Sequence, residues 1–338
     1  MGNKAYIEIQ DIQKFYPHKD GKIFHKAGQR KYVKAVDGVN LTMGRGEILG
    51  VIGESGCGKS TLGRVLVRLE DPTSGDVLID GVSTREILKQ DTKAFRRQVQ
   101  IIFQNPFDTF TPRDTIQKIL LRPLKHHGIG KDTEERIQMC KEALEAGGLR
   151  PAEDILSRYP HELSGGQLQR ISIIRSMFLD PGFIIADEPV SMLDVSVRAE
   201  IINMLISLAR DKNAAVVFIS HDIALTRYIS DNIAVMYLGR IVEYGSADEV
   251  IKDPQHPYTR ALISNCASVD PFEEHEEISI EGEPPTPIDP GPGCYFAPRC
   301  YMATEECFKH YPKRADCGGT HYAVCDKVRG RGSQNSSL

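Results

Sequence analysis

No apolar run in this sequence approaches the roughly 18 residues that a membrane-spanning helix needs. The longest, such as Ala214 to Ile219, are strand-sized. The first ten residues hold no apolar signal core, and Tyr6 stands where a myristoylation motif has Ser or Thr. The expectation is a chain made in the cytosol that reaches a membrane, if at all, by docking. A basic surplus is also missing. The formal net charge is −4, which argues against nucleic-acid binding, because neutralising phosphates takes an excess of Lys and Arg. There is no internal repeat, so one set of site motifs is expected.

What is present fits an ordinary globular protein, with 41% hydrophobic and 26% charged residues. A chain of 338 residues suggests two domains, or one large domain with an appendage. Its N-terminal half alternates strand and helix signals. Ile7, Ile9, Val39, Leu41 and Met43 follow the period of half-buried strands. Glu47 to Gly53 is an apolar strand running into a glycine-rich loop, and Lys59 to Glu70 reads as a helix ended by Asp71-Pro72. Val77 to Ile79 and Val99 to Phe103 are short strands, and Thr111 to Arg158 reads as an inserted helical region. Phe183 to Ala186 and Ala214 to Ile219 are continuous apolar runs, as expected of central parallel strands. Ile201, Leu205 and Leu208 mark a helix between them. Ile233 to Leu238 and Ile241 to Tyr244 read as a hairpin joined at Gly239-Arg240. The sum is an α/β chain with a parallel sheet. Composition shifts after Asp253, which places a boundary near residue 250, and Glu281 to Pro292 reads as a linker.

Three motifs carry chemistry. Gly53-Glu54-Ser55-Gly56-Cys57-Gly58-Lys59-Ser60 matches the phosphate-binding loop pattern, between a strand and a helix as that pattern requires. Its glycines let backbone N–H groups surround phosphates, Lys59 reaches the outer phosphates, Ser60 can ligate Mg²⁺, and Thr61 can add a contact. Asp187 and Glu188 end an apolar strand; the first can hold Mg²⁺, and the second can take a proton from an attacking water. Leu163-Ser164-Gly165-Gly166-Gln167 opens a helix and forms a second anion site, which points to the nucleotide of another subunit. Ser164 also suits an N-cap.

Together these motifs make the chain resemble an ATP-binding-cassette nucleotide-binding subunit. That resemblance implies a P-loop NTPase with a RecA-like parallel core sheet, an antiparallel β subdomain, a helical signature subdomain over about 105–180, and a cysteine-rich C-terminal extension. The cassette spans 1–250 and the extension 251–338. It implies that Tyr16 stacks on adenine, with Phe15 the alternative. Gln104 becomes the glutamine that senses Mg²⁺ and water, and Ser164, Gly165, Gly166 and Gln167 the signature. Asp194 belongs to a loop in which Met192 replaces the usual alanine. His221 contacts the γ-phosphate. The cofactors implied are ATP and Mg²⁺, and Asn105 to Leu124 lines the groove for a membrane partner's helix.

Gln255-His256-Pro257-Tyr258-Thr259-Arg260 and Gly293-Cys294-Tyr295-Phe296-Ala297-Pro298-Arg299-Cys300 resemble the extension of oligopeptide, dipeptide and nickel importer ATPases. The Gly-Gln-Leu-Gln-Arg run resembles the second of their two paralogous ATPases. The implied function is ATP hydrolysis that energises peptide import at the cytoplasmic face of the cell membrane. A nickel or other small-solute importer, or a soluble non-transport cassette, is the alternative. Implied partners are a paralogous ATPase, two transmembrane permease subunits and an extracytoplasmic solute-binding protein. Of the eight cysteines, Cys294, Cys300, Cys307, Cys317 and Cys325 crowd the last 45 residues, which suggests metal. The resemblance implies a 4Fe–4S cluster on Cys294, Cys300, Cys307 and Cys325, with Cys317 an alternative ligand and structural Zn²⁺ an alternative metal. His126-His127 reads as a solvated helix end, and Glu273-Glu274-His275-Glu276-Glu277 as a solvated acidic linker.

Overall fold

A computed structural model describes residues 5–18, 31–265 and 278–328; Cys266 and the acidic run at 273–277 lie outside the described residues. The chain forms two compact units, each assembled from separate stretches: Met1–Ile7, Met43–Ile48 and Ile79–Ile219 in the first, and Glu8–Thr42, Leu49–Leu78 and Ser220–Leu338 in the second.

In the first unit the strands Val99–Ile102, Phe183–Asp187 and Ala215–Ile219 form a parallel ladder, with Ile101 opposite Ile185 and Ile185 opposite Val217. Every residue of the last two strands is buried, which is why the sequence reads as unbroken apolar runs there. The inserted region is helical, as expected: Ile116–His127, Thr133–Ala146 and Ala152–Ser157. They pack with the helix Gly165–Met177 around Leu120, Leu124, Cys140, Leu144, Leu168 and Ile171. Thr115 and Asp132 cap the first two of these helices by accepting the amides of Lys118 and Glu135. The first ends on Lys125, His126 and His127 before Gly128, so the two histidines sit where positive charge complements the helix C-terminus.

In the second unit the strand Ile48–Ile52 runs parallel to Asn232–Tyr237, with Val51 opposite Ala234. Asn232–Tyr237 turns back into Arg240–Ser246 through Leu238 and Gly239 at φ 41° and 83°. The two-residue loop is therefore one position earlier than expected, because both of its residues must adopt the left-handed backbone of a tight hairpin. The tail then adds to this hairpin: His321–Val324 pairs antiparallel with Arg240–Ser246, and Arg314–Gly318 pairs with His321–Val324. The stretch expected to be a free linker is docked. Lys34 N–H donates to Pro287 O at 2.9 Å, and Asp289 N–H donates to Tyr32 O at 3.0 Å. The strand backbone at residues 32–34 thus finds its hydrogen-bond partners in this segment. Among the described residues, no helix is long and apolar enough to cross a membrane.

Candidate active site

The phosphate-binding motif lies in the second unit. The buried strand Ile48–Ile52 delivers the chain into the loop, and the helix Lys59–Leu66 begins directly after Gly58. Gly53 has φ 152°, and a Cβ there would lie 2.2 Å from Met236 O, so only glycine lets the loop turn at this point. Lys59 is buried and folds back on its own loop, donating to Gly53 O at 2.7 Å and Glu54 O at 2.9 Å. Ser55, Gly56 and Ser60 are exposed, whereas Cys57 is buried and burial pushes its thiol up. The loop thus exposes Ser55, Gly56 and Ser60 while its amine is held against two carbonyls. Tyr16 donates its hydroxyl to Glu70; burial, then that bond, pushes it up to about 12, while Thr61 and Arg64 pull the other way. The aromatic candidate is therefore beside Thr61 of the phosphate loop. His221 is exposed, next to the buried Ser220 whose hydroxyl accepts the Asp222 amide at 3.0 Å.

Glu54 has partners that sequence reasoning missed. Its amide donates to Tyr258 Oη at 2.8 Å, and its carboxylate accepts from Arg299 Nη1 at 2.7 Å and Nη2 at 3.0 Å. A spacing of 245 residues between Glu54 and Arg299 leaves no local signal. Nearby, Asp37 accepts from Arg240 Nη2 at 2.7 Å and from Tyr295 Oη at 2.8 Å.

The first unit holds the carboxylate pair. Asp187 ends the buried strand, and Glu188 follows at φ 44°, a left-handed backbone uncommon for a residue with a side chain. Gln104 Nε2 donates to Glu188 Oε2 and to Ser191 Oγ, each at 3.2 Å, and Ser191 Oγ donates back to Glu188 O at 3.1 Å. Gln104 and Glu188, 84 residues apart, are thus brought together, and Ser191, the first residue of the loop that carries Met192 and Asp194, joins them in a role the resemblance did not assign to it. Gln169 is another: it is buried and donates to Phe103 O at 3.2 Å, tying the chain before Gln104 to the helix Gly165–Met177.

That helix opens with a reciprocal cap. Ser164 Oγ accepts the Gln167 amide at 3.3 Å, and Gln167 Oε1 accepts the Ser164 amide at 3.0 Å. Gly165 and Gly166 head the helix. A Cβ on Gly166 would lie 2.7 Å from Val197 Cγ1, so its glycine also permits close approach to the helix Val195–Arg210. Ser164 and Asp194 are exposed, and so are Met192 at 63% and Val195 at 79%, an apolar pair flanking Asp194.

The cysteines separate into two sets. Cys294, Cys300, Cys307 and Cys325 line one cavity of about 20 Å³ together with His256, Phe296 and Pro312. Cys317 is not among its lining residues; its thiol donates to Ala315 O at 3.6 Å. Burial pushes Cys294 up to about 11 and raises Cys300 and Cys325, each thiol also feeling its sulfur neighbours. Among the described residues, no group of three or more His, Cys, Asp or Glu side chains is arranged to hold a metal ion. The expected metal centre is therefore not formed by the side chains as they stand. A zinc site needs donors about 2.3 Å from one point, and the thiols do not converge in that way.

Residues 36–191 match the family model described as ABC transporter, and residues 242–307 match that described as oligopeptide/dipeptide transporter, C-terminal region. The chain is 45% identical over 311 residues to the dipeptide transport ATP-binding protein DppF of Haemophilus influenzae, covering 92% of this chain and 93% of that protein. It is 40% identical over 329 residues to the oligopeptide transport ATP-binding protein AppF of Bacillus subtilis, covering 95% and 97%. Among solved structures it is similar to the dimeric post-hydrolysis state of the ATP-binding cassette MJ0796 bound to ADP and Pi, with a TM-score of 0.62 and 28% identity over 71% of this chain and 98% of that one.

Proposed function

This chain belongs to the family of ATP-binding-cassette transporter ATPases, in its oligopeptide and dipeptide branch, and on that premise we propose that it hydrolyses ATP to drive import of peptides through a membrane permease. The single observation that carries the reading is the 48–66 strand, loop and helix, whose glycine geometry and backward-folded Lys59 suit a polyphosphate. When phosphates enter, Lys59 exchanges the carbonyls of Gly53 and Glu54 for the outer phosphates, and the loop amides with the helix N-terminus complete the cradle. Tyr16 stacks on the adenine.

The residues assigned to Mg²⁺ offer oxygen donors, Ser60 a hydroxyl in one unit, and Asp187 a carboxylate and Gln104 an amide oxygen in the other. When bound, the ion would supply charge neutralisation for the transferred phosphoryl oxygens. Glu188 accepts the proton of the attacking water, oriented by Gln104 and Ser191, and His221 contacts the γ-phosphate. Ser164, Gly165, Gly166, Gln167 and Asp194 serve the nucleotide of a paralogous cassette, which returns the same service; the exposed Met192 and Val195 support an interface there. A groove of about 420 Å³ lined by Thr109, Phe110, Ile119, Pro123 and Arg175 suits a helix of one of two permease subunits. This assignment keeps the antiparallel β subdomain, the helical signature subdomain and the extension as distinct working parts. It puts the chain at the cytoplasmic face of the membrane, with a solute-binding protein supplying peptide from outside.

Cys294, Cys300, Cys307 and Cys325 line one cavity and are the thiolates assigned to a 4Fe–4S cluster, with zinc the alternative, although as they stand they converge on no metal ion. The cluster's role in this reading is to brace the extension. Measuring phosphate release and ATP binding by the purified chain, alone and with its membrane subunits, tests the reading. ATP binding with hydrolysis that rises on assembly supports it, and a chain that binds no nucleotide refutes it.

A further inference from the structure

The phosphate loop is gripped from outside the cassette at one residue. Glu54 offers three groups, and each is engaged. Its carbonyl accepts Lys59 Nζ at 2.9 Å. Its amide donates to the hydroxyl of Tyr258, a fully buried ring stacked edgewise on Tyr237 with centroids 4.7 Å apart. Its carboxylate takes both arms of the Arg299 guanidinium, a side chain only 7% exposed. Arg299 spends its remaining donors on Glu281 O at 3.2 Å, Gly282 O at 2.7 Å and Tyr237 Oη at 3.4 Å. Guanidinium has five N–H donors in a rigid fork, and five acceptors surround this one. The segment carrying Arg299 is itself fixed: Phe296 is buried against Tyr237 and Tyr258, and Tyr295 bonds Asp37.

We propose that Arg299 and Tyr258 are positioning residues for the nucleotide, through which docking of the C-terminal extension sets the affinity of the phosphate loop. Two physical effects act through Glu54. Its carboxylate stands in a loop built to receive a polyanion, and unneutralised it repels that anion; the bidentate bridge cancels the charge and fixes the carboxylate in one place. The Glu54 amide is turned away to Tyr258, and its carbonyl becomes the fixed resting partner of Lys59. Release of the extension frees the charge and the amide together. The sequence pattern of the loop allows any residue at position 54, so the pattern alone gives no reason for this grip.

The inference rests on the phosphate-loop reading, and the experiment separates the two. The dissociation constant for ATP is measured by calorimetry on the full-length chain, with folding checked by circular dichroism. Wild type binds ATP. Arg299→Ala weakens binding about tenfold, as expected for losing a charge-assisted pair. Arg299→Lys recovers only part, since an ammonium cannot span both carboxylate oxygens. Glu54→Gln combined with Arg299→Ala restores most of the affinity, because the repelling charge is gone, a recovery that simple loss of packing does not produce. A wild-type affinity in Arg299→Ala overturns the inference, and so does a double variant as weak as the single one or a lysine variant equal to wild type. Failure of the wild-type chain to bind ATP overturns the loop reading itself, and the inference with it.

Discussion

Glu188 holds a left-handed backbone at φ 44° immediately after a fully buried strand. For a side-chain-bearing residue such a conformation costs on the order of 1–2 kcal/mol, and residues of this kind gather at working sites. Its carboxylate is aimed by Gln104, and its carbonyl by Ser191. Glu188→Gln keeps the shape and loses the base, so single-turnover phosphate release should fall about 100- to 10,000-fold with ATP affinity unchanged. Gly53→Ala should act on the other half of the chemistry. Its Cβ would lie 2.2 Å from a backbone oxygen, which cannot move aside as a side chain can. ATP binding should be lost, and the melting temperature should fall, measured by calorimetry. At this scale the sequence was informative wherever chemistry is written in consecutive residues, as in 53–60 and 163–167. It did not reveal the partners of Ser191, Gln169 and Glu54, which chain length hides.

Elements follow local patterns until a buried side chain overrides them. The helix expected over 59–70 ends at Leu66, because Arg68 turns left-handed at φ 53° and drives its buried guanidinium to Asp76. The apolar pattern cannot reveal that pairing. The extension shows a larger override. Glu243 is fully buried and accepts the amides of Gln255 and His256 and the ring of His321, at 2.7, 2.8 and 2.7 Å. Burial lowers the His256 pKa to about 3. Unfolded, its imidazole takes a proton near pH 6.5, so its contribution to stability is complete above about 6.5 and fades as the pH falls toward 3. His321 moves the other way. Burial lowers it, but the hydrogen bond and charge of Glu243 prevail and raise it. Its stabilisation is complete below about pH 6.5 and is lost as the pH rises through its folded value. Limited proteolysis of the extension should therefore be slowest near neutrality and faster on both sides, with the alkaline arm missing in His321→Gln. In the same element, the proposed cluster predicts that iron and sulfide assays after anaerobic purification find both in Cys317→Ser and neither in Cys300→Ser. Equal loss in both variants contradicts the grouping of thiols around one cavity.

For the whole molecule, the order of motifs along the chain was enough to read the family. The docking of the extension on the phosphate loop was not, because it depends on Tyr258 and Arg299 meeting Glu54, more than two hundred positions away. The assembly is a further step. Ser164 caps its helix at an exposed surface, and Met192 and Val195 of the same unit are exposed as well. Ser164→Arg should leave ATP binding by the isolated chain near its wild-type value while lowering hydrolysis by the assembled complex. A lone chain that loses ATP affinity in this variant would place Ser164 in the chain's own pocket instead. The most direct test of the account is peptide uptake into proteoliposomes that contain the permease subunits, the partner ATPase and this chain. Uptake should require ATP and stop when this chain carries Glu188→Gln, although nucleotide still binds; undiminished uptake with that variant would contradict the claim that hydrolysis here drives the transporter.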